Sequence, residues 1–568
     1  MHEWLFTFGV ILLAGLCGAG FLGPFISTRK LVLLAAPLVG ILLVVLGANA
    51  FYCVLDVSYT KAATLSAAAC LGVGGIAYRN FVDWWRLILL VLLSGAVGAL
   101  AVWTIDRATL RTGGPAVFYM DGTDHGGYAQ AADWLNDHPV DQVPAADPSV
   151  PYESWTEILF RFDPRFGSFG LLAIISRLYG SSSIFSYDVA CAVVLAAACL
   201  SVAAVFAPNA IWLAALTLGL FISNLYDYAH CGFFGKLVAY PSALMLAGLV
   251  LNCLESPRLE QTFTLALLAS AVGLMHSGTA TTVLMAPILG FGLIAMLLRR
   301  VDRPTLVRAT LLCATTLVLP VIASGILARP TVMGFPHWDV SWSYELPRLA
   351  DLENQGVWLS GFEPGAVRWL TTAAVACWAA ALVGAVVWRS VRALGLLAGP
   401  VVLAVAMAVL HNRAGAFQLL GFIYPATLCG MVALFEQVPP LMGRIVLAVL
   451  AIVAIGLRIP RFDGSVSRYA THAQPAYLFT QAEIQRLVSQ IGTRSVEVDV
   501  SDPHDGILLL IELGRRHLNV HWSREGWKCV VGYRQWPWKP AAPPAQLLLK
   551  MDPQPIIDRH FDLITNAT

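Results

Sequence analysis

The chain has 568 residues, of which 58% are hydrophobic and only 12% are charged, and its mean hydropathy is +0.70. A water-soluble globular protein carries about 25% charged residues, so this composition excludes that class and places the chain in a lipid bilayer. The formal net charge of +1 provides no overall positive field, which argues against nucleic acid as a partner.

About fourteen apolar runs approach the length of roughly 17 to 25 residues that crosses a bilayer as a helix. The sequence therefore predicts a polytopic α-helical membrane protein. The 11 cysteines lie mostly inside these runs without metal-type or redox-type spacing, which indicates small buried side chains. The predicted spans are 4–26, 31–52, 62–78, 87–104, 185–206, 210–226, 237–254, 261–275, 279–298, 309–327, 368–388, 393–410, 416–435 and 443–457.

Lys and Arg gather in alternate connectors, and positively charged loops stay cytoplasmic. Placing the N-terminus outside puts six basic connectors inside, although Arg458 and Arg461 then fall outside. With this orientation the unusual polar stretches share the outer face, where no ATP is available, so a synthetic enzyme there needs a pre-activated, lipid-linked substrate. These stretches are 105–184, 224–236, His276, 328–367, 411–413 and everything after about 458.

The first outer loop contains the sequence FYMDGTDHGGYAQAADWL, residues 118–135, in which Asp121, Asp124 and His125 lie among glycines. Glycine permits sharp turns and close approach of a ligand to the backbone. We interpret this stretch as the active-site loop of a membrane enzyme. Three short helices are predicted after or within it: 127–136, an amphipathic interfacial helix at 152–162, and an apolar segment at 166–180 that is too short to span.

The composition changes after about residue 460. Helical segments at 482–491 and 502–517 alternate with strand-like segments at 495–500 and 518–522, which predicts a small α/β domain. Its basic residues, among them Arg515 and Arg516, are candidates for contact with an acceptor or with lipid headgroups, or for docking on the membrane part.

Residues 87 to 460 resemble the GT-C superfamily of integral-membrane glycosyltransferases. The acidic first outer loop, the amphipathic helix, the GSFGLLAIISRLYG and SYDVACAVVL passages, and the outer C-terminal domain carry this resemblance. It implies three parts, with extra helices at 1–86, a catalytic membrane domain at 87–459 and an extracytoplasmic domain at 460–568. It further implies inverting transfer of a sugar from a polyprenyl-phosphate carrier to a glycan, lipid or protein acceptor on the outer face. The alanine- and arginine-rich composition is compatible with a bacterial inner membrane, whose outer face is periplasmic or extracellular.

In this interpretation a loop carboxylate, Asp124 or else Asp121, is the general base that removes the proton of the acceptor hydroxyl. Both carboxylates also suit a second role, in which they solvate a turn or cap the following helix. The phosphate leaving group requires cations, and Arg413, with His411 beside it, and Lys236 are the candidates. Each of these cations is equally typical of a side chain that only snorkels to the headgroups.

Further ionisable and polar residues near the same face complete the candidate substrate site, because such groups are costly at membrane depth and tend to be functional. A divalent cation held by some of them is compatible with their chemistry, but the spacing does not predict a metal site. The loop 329–367, rich in aromatic and acidic residues, is expected to cover the site as a lid. The candidate substrate-binding residues are His125, Tyr128, Asp227, His230, His276 and Gln418.

Two other classes remain open. A transporter or flippase of lipid-linked sugars has a similar number of helices, but internal repeats and charges near the middle of the membrane are expected in it. A polysaccharide polymerase or ligase shares an outer-face site and takes a lipid diphosphate donor, usually with a large late loop.

Overall fold

A computed structural model of the chain describes most of its length. The described residues are 2–26, 31–55, 57–78, 84–118, 124–139, 151–162, 165–223, 234–327, 364–409, 413–435, 478–500, 503–516, 518–531, 545–556 and 559–565, with isolated positions between some of these ranges.

Within the described residues, seventeen α-helices precede residue 435, and a helix occupies each of the first thirteen predicted spans. The predicted span 443–457 lies largely outside the described residues. The helices are α1 His2–Ala19, α2 Ala36–Leu55, α3 Tyr59–Tyr78, α4 Trp84–Ile105, α5 Arg107–Thr112, α6 Asp124–Asp137, α7 Pro151–Phe162, α8 Phe166–Tyr179, α9 Tyr187–Phe206, α10 Ala210–Phe221, α11 Phe234–Cys253, α12 Leu259–Met275, α13 Gly278–Leu298, α14 Arg303–Leu327, α15 Pro364–Val387, α16 Val391–Val409 and α17 Arg413–Leu434.

Seven helical runs in the described part of the chain are long and apolar enough to cross a membrane by length and composition, as expected of a helical membrane protein. Short 3-10 turns extend the first two of these runs beyond α1 and α2. Six further apolar helical stretches of 10 to 17 residues are shorter, and three of them are parts of α15, α16 and α17. The seven runs are His2–Phe25, Val32–Leu55, Ile88–Ile105, Tyr187–Phe206, Phe234–Cys253, Gly278–Leu298 and Arg303–Leu327.

Helix α9 forms the centre of the bundle, with every residue of its spanning window buried. A helix that is apolar on all sides is buried on all sides, and its alanines and cysteines allow neighbouring helices to approach closely. Helices α2, α4, α10 and α11 pack around it. The backbone N–H of Leu38, in the first turn of α2, donates to the Ser201 hydroxyl of α9 at 3.1 Å, which satisfies a helix-end donor inside the bundle.

One end of the bundle carries the polar loop segment, and we call it the loop end. The ring of His2, at the start of α1, lies 5.7 Å from the ring of Tyr179, at the end of α8. The ring of Tyr187, at the start of α9, lies 5.7 Å from that of Phe234, at the start of α11. Helices α1, α9 and α11 therefore all begin at the loop end.

The opposite end gathers the short basic connectors, and we call it the connector end. Arg299, after α13, pairs with Glu255 and donates from its Nε to the carbonyl oxygen of Arg389 at 2.6 Å. Gln261, in the first turn of α12, donates to the carbonyl oxygen of Pro24 at 3.1 Å. The connectors that follow α1, α11, α13 and α15 thus meet at one end.

The cysteines are mostly buried inside the helices, as predicted, and those described are free thiols. Cys377, in α15, is exposed and departs from this prediction.

The chain after residue 478 forms short strands and helices. Strands β3 Val496–Asp499, β4 Val520–Trp522, β5 Leu547–Ile556 and β6 Arg559–Thr565 form a four-stranded sheet in the order β4-β3-β5-β6. Strand β3 is parallel to both β4 and β5, and β5 is antiparallel to β6. The helices of this region are α18 Gln481–Ile491, α19 Pro503–Gly514 and α20 Arg524–Val531.

This region is joined to the loop end by backbone pairing. Strand β1, Ala116–Phe118, pairs antiparallel with β2, Leu478–Thr480. The backbone N–H of Gln481 continues the pairing by donating to the carbonyl oxygen of Pro115 at 2.9 Å. The described residues between 106 and 186 and those after 478 therefore lie at the same end of the bundle.

Candidate functional site at the loop end

Helix α6 carries the later part, 124–135, of the predicted active-site loop. It begins at Asp124, three residues before the predicted start at Gly127, so that prediction was wrong by almost one turn. A carboxylate in the first turn interacts favourably with the helix dipole, which accounts for the earlier start. The side chain of Asp124 and the whole of Asp121 lie outside the described residues.

Two of the predicted substrate-binding residues are buried on α6. His125 is 2% exposed, and its ring lies 5.0 Å from that of Tyr187. Tyr128 is 3% exposed and makes edge-to-face contacts with Phe169 of α8 and Phe234 of α11. Since Asp124 and Tyr128 are four residues apart, they share one face of α6.

Arg165, which the sequence analysis did not single out, contacts this face. Its Nη1 donates a hydrogen bond to the hydroxyl of Tyr128, and its guanidinium carbon lies 5.6 Å from the centre of the tyrosine ring. Arg165 immediately precedes α8. The available signal was an arginine in an outer loop, the exception to the positive-inside tendency that identified Lys236 and Arg413.

The first turn of α11 closes on the same pair. A Cβ on Gly235 would collide with the hydroxyl of Tyr128 and lie 3.1 Å from Cδ of Arg165, so only glycine allows this approach. The next residue is Lys236. Close packing of α11 on α6 and on the start of α8 therefore brings the chain around Lys236 to Tyr128 and Arg165.

His276 reaches the same place from α12, which it follows directly. Ser168, in the first turn of α8, donates to the carbonyl oxygen of Met275, and a Cβ on Gly167 would lie 2.7 Å from the carbonyl oxygen of Leu274. The start of α8 and the end of α12 are thus in direct contact. Nδ1 of His276 is buried and has no hydrogen-bond partner among the described residues.

Arg165, Lys236 and His276 form what we call the basic junction. Burial, and then the positive charges of Arg165 and Lys236, hold the pKa of His276 well below its ordinary value. His276 is therefore neutral at physiological pH, beside two fixed positive charges. Such a set suits a ligand that brings negative charge and accepts hydrogen bonds, of which a phosphate is the common biological example.

Helix α17 carries two further candidates, Arg413 and Gln418, whose side chains lie outside the described residues. The ring of Phe422 in α17 lies 5.7 Å from that of Tyr240 in α11, and both helices run away from the loop end. At about 1.5 Å per residue, the backbones of Gln418 and Lys236 each lie about 6 Å nearer to the loop end than these rings. Gln418 is consequently about level with Lys236.

The remaining candidates His411, Asp227 and His230, and the predicted lid at 329–367 apart from the start of α15, lie outside the described residues. Among the described residues no group of three His, Cys, Asp or Glu side chains is arranged to hold a metal ion.

A second polar cluster lies on α6 away from the basic junction. Asp133 is fully buried and receives hydrogen bonds at its Oδ1 from the backbone N–H and the hydroxyl of Ser183, at 3.0 and 2.7 Å. Nη1 of Arg515, just after α19, pairs with the same oxygen at 2.9 Å. Two further nitrogens of Arg515 bind the carboxylate of Asp137 at 2.6 and 3.1 Å. Of the two roles considered for Arg515, the structure shows the docking contact and not an unpaired surface cation.

Arg516 likewise is not an unpaired surface cation, since it pairs with Glu512, in the last turn of α19, at 2.6 Å. Glu512 is buried and accepts a hydrogen bond from Ser182 at 2.6 Å.

Comparison of the chain with protein-family models, with curated proteins and with solved structures gave no match.

Proposed function

We propose that this protein is a membrane glycosyltransferase that moves a sugar from a polyprenyl-phosphate carrier to an acceptor hydroxyl at the loop end. We further propose that the shorter apolar helices complete about fourteen spans. Residues 460–568 would form a small extracytoplasmic α/β domain, and the loop end would face the periplasm of a bacterial inner membrane. The acceptor is a glycan, a lipid or a protein.

One observation carries the proposal. The face of α6 that bears Asp124 and Tyr128 is turned towards the basic junction, because Tyr128 contacts Arg165 and packs against Gly235. A carboxylate and a set of cations at one place are what transfer from a phosphate donor to a hydroxyl requires. The neutral imidazole of His276 adds a hydrogen-bonding group there.

The proposed reaction is a single displacement. The carboxylate of Asp124, or that of Asp121, takes the proton of the acceptor hydroxyl while the acceptor oxygen bonds to the anomeric carbon of the sugar. The bond from that carbon to the phosphate oxygen breaks, and the polyprenyl phosphate leaves with the electron pair. Arg165 and Lys236 stabilise the charge on the leaving phosphate, and the anomeric configuration inverts.

The first experiment measures sugar transfer by the purified protein in lipid nanodiscs, with a panel of polyprenyl-phosphate hexoses and pentoses. A general base contributes about a hundredfold or more, so Asp124→Asn or Asp121→Asn should lose that much turnover. The matched control is Asp302→Asn, an exposed carboxylate at the connector end. Wild-type turnover by both loop variants would rule out the catalytic assignment.

A second arm tests the cations. Arg165→Ala should weaken donor binding by about tenfold to a hundredfold, because hydrogen bonds to charged groups contribute about 1.5–3 kcal/mol. Arg177→Ala is the control, since Arg177 is exposed in the last turn of the same helix α8. Equal donor binding by the two variants would remove Arg165 from the phosphate site.

The same assay separates the alternatives left open by the sequence. A polymerase or ligase would use lipid diphosphate donors and leave monophosphate donors untouched. A flippase would move the labelled lipid between leaflets without forming a product. Either result would contradict the proposal of glycosyl transfer from a monophosphate carrier.

A further inference from the structure

Helix α6 is held on two opposite faces. Asp124 and Tyr128 lie on the face turned to the basic junction, and Asp133 and Asp137 lie on another. Asp133 follows Asp124 by nine residues, which at 100° per residue places it about 180° around the helix and about 13.5 Å along it. The two carboxylates therefore form the rear face of the helix, behind the proposed site.

The rear face is tied to the region after residue 478 by one side chain. Arg515 bonds Asp137 through two nitrogens, in the fork geometry in which guanidinium matches carboxylate, and bonds Asp133 through a third. The side chain of Asp133 is 1% exposed and that of Arg515 is 23% exposed. A contact so little exposed is only weakly screened by solvent and salt.

Other bonds fix the same helix from the side. Asp133 is bound by Ser183, in the connection between α8 and α9. Gln130 donates to the backbone of Tyr152 and to the hydroxyl of Thr156 at 3.0 Å, both in α7. Ser183 and Arg515 both bind the rear face through Asp133, and Arg515 is the contact there that comes from the region after residue 478.

Packing of the neighbouring helices fixes the backbone next to Arg515. It follows α19, which packs against both α6 and α7, and a Cβ on Gly514 would lie 2.8 Å from Cβ of Tyr152 in α7. The backbone pairing of β1 with β2 joins the same two regions.

We propose that Arg515 is a positioning residue for the transfer reaction. By binding Asp133 and Asp137 it fixes the position of α6 relative to the basic junction and so sets the distance between the carboxylate of Asp124 and the donor phosphate. This role rests on the proposed function. The region after residue 478 thereby controls the geometry of a site that it does not line.

The first test compares Arg515→Ala with Arg516→Ala in the nanodisc transfer assay. Arg515→Ala should lower kcat on the order of tenfold to a hundredfold, since a small misplacement of a reacting group has that effect. The KM for the donor should stay near the wild-type value, because the basic junction is untouched. Arg516→Ala removes a neighbouring arginine that pairs with Glu512 of α19 and not with α6, and its kcat should stay near that of wild type. Equal losses of kcat in both variants would reduce Arg515 to a stabilising residue.

A second variant separates the effect of Arg515 on the position of α6 from its effect on the stability of the protein. Arg515→Ala leaves the buried carboxylate of Asp133 without its cation, so the midpoint of thermal unfolding should fall. Adding Asp133→Asn replaces this unpaired acid by a neutral amide and should raise the midpoint again, but kcat should stay low because the bond to Asp137 is still missing. Recovery of kcat together with the unfolding midpoint would overturn the proposal.

Hydrogen exchange of the α6 amides keeps this test independent of the enzymatic assignment. Peptides covering 124–137 should exchange faster in Arg515→Ala than in wild type or in Arg516→Ala. If the wild type transfers no sugar, the proposed function is wrong. The exchange result still measures how much the contact with Arg515 stabilises α6. Unchanged exchange would show that Arg515 does not hold the helix.

Discussion

Gly235 lies where α11 packs closely against α6, next to the proposed phosphate site. It lies between Phe234, whose ring contacts Tyr128, and Lys236, and it has no side chain where Tyr128 and Arg165 pass. The absence of one methyl group thus determines how near α11 comes to α6.

We predict that Gly235→Ala destabilises the protein and also lowers transfer activity. The added Cβ collides with the Tyr128 hydroxyl, and overpacking of this kind costs about 1–3 kcal/mol. The measurement is the midpoint of thermal unfolding in detergent, together with donor KM.

The matched control is Gly290→Ala, in α13, where no atom lies within 4 Å of the new Cβ. This variant should keep the wild-type midpoint or rise slightly, because alanine favours helix. An unchanged midpoint and KM in Gly235→Ala would mean that the helices separate without consequence and that the approach of α11 to α6 is not required.

At the level of single residues, the sequence was informative where an ionisable side chain stood next to an apolar run. Lys236 and His276 were identified because ionisable groups are rare near apolar runs, and the structure brings both to Arg165. Arg165 itself was overlooked, because one more arginine in a long polar loop has no distinguishing pattern. Asp133 was overlooked for a similar reason, since nothing in the sequence indicated that it would be buried beside Arg515.

Among the elements, α6 carries a buried titrating group, Asp133, outside the spans. Burial, together with the nearby charge of Glu512, raises the pKa of Asp133 to about 7, and Arg515 and the hydrogen bonds from Ser183 only partly oppose this. Desolvation prevails because Oδ2 of Asp133 is buried and has no hydrogen-bond partner among the described residues.

We predict that the stability of the fold falls as the pH rises towards neutrality. An acid whose pKa is raised on folding stabilises the fold fully below its ordinary value of 3.8, and this contribution is lost as the pH rises through about 7. At about 1.4 kcal/mol for each pH unit in that interval, the effect is on the order of 4 kcal/mol. The measurement is the midpoint of thermal unfolding between pH 4 and pH 8.

Asp133→Asn provides the control, because it keeps an acceptor for Ser183 and removes the titrating proton. Its unfolding midpoint should lack the component between pH 4 and pH 7 that the wild type shows. The other ionisable groups around Asp133 are Arg515, Glu512, Asp137 and Tyr152, and they remain in place in this variant. The same pH profile in wild type and Asp133→Asn would assign the titration to one of them.

Helices were predictable from the sequence to within a few residues, because long apolar runs and helical periodicity are local properties. The pairing of β1 with β2 was not, since each strand has three residues and they are separated by most of the chain. A strand of that length carries no usable alternation, and its partner is set by how the helices between them fold. The contact of α19 with α6 depends on the same long-range arrangement.

For the whole molecule, the important feature is that the two ends of the bundle carry different polar segments. The loop end gathers α6, α8, the basic junction and the region after 478, whereas the connector end gathers short basic turns such as those around Arg299 and Arg389. The sequence predicted which segments share an end because each spanning helix reverses the direction of the chain. It predicted nothing about which helices touch, since lipid-facing and protein-facing apolar residues have the same composition.

This separation yields a prediction about the membrane that is independent of enzymatic activity. In a cysteine-free background expressed in a bacterial inner membrane, Ser489→Cys and Asp302→Cys place a thiol at an exposed position at the loop end and the connector end respectively. Because basic connectors stay cytoplasmic, a membrane-impermeant maleimide added to spheroplasts should label the cysteine at 489 and spare the cysteine at 302. Permeabilised spheroplasts, in which both must react, control for accessibility. Labelling at 302 alone would put the basic junction in the cytoplasm, where nucleotide sugars are available and a lipid-linked donor is no longer required.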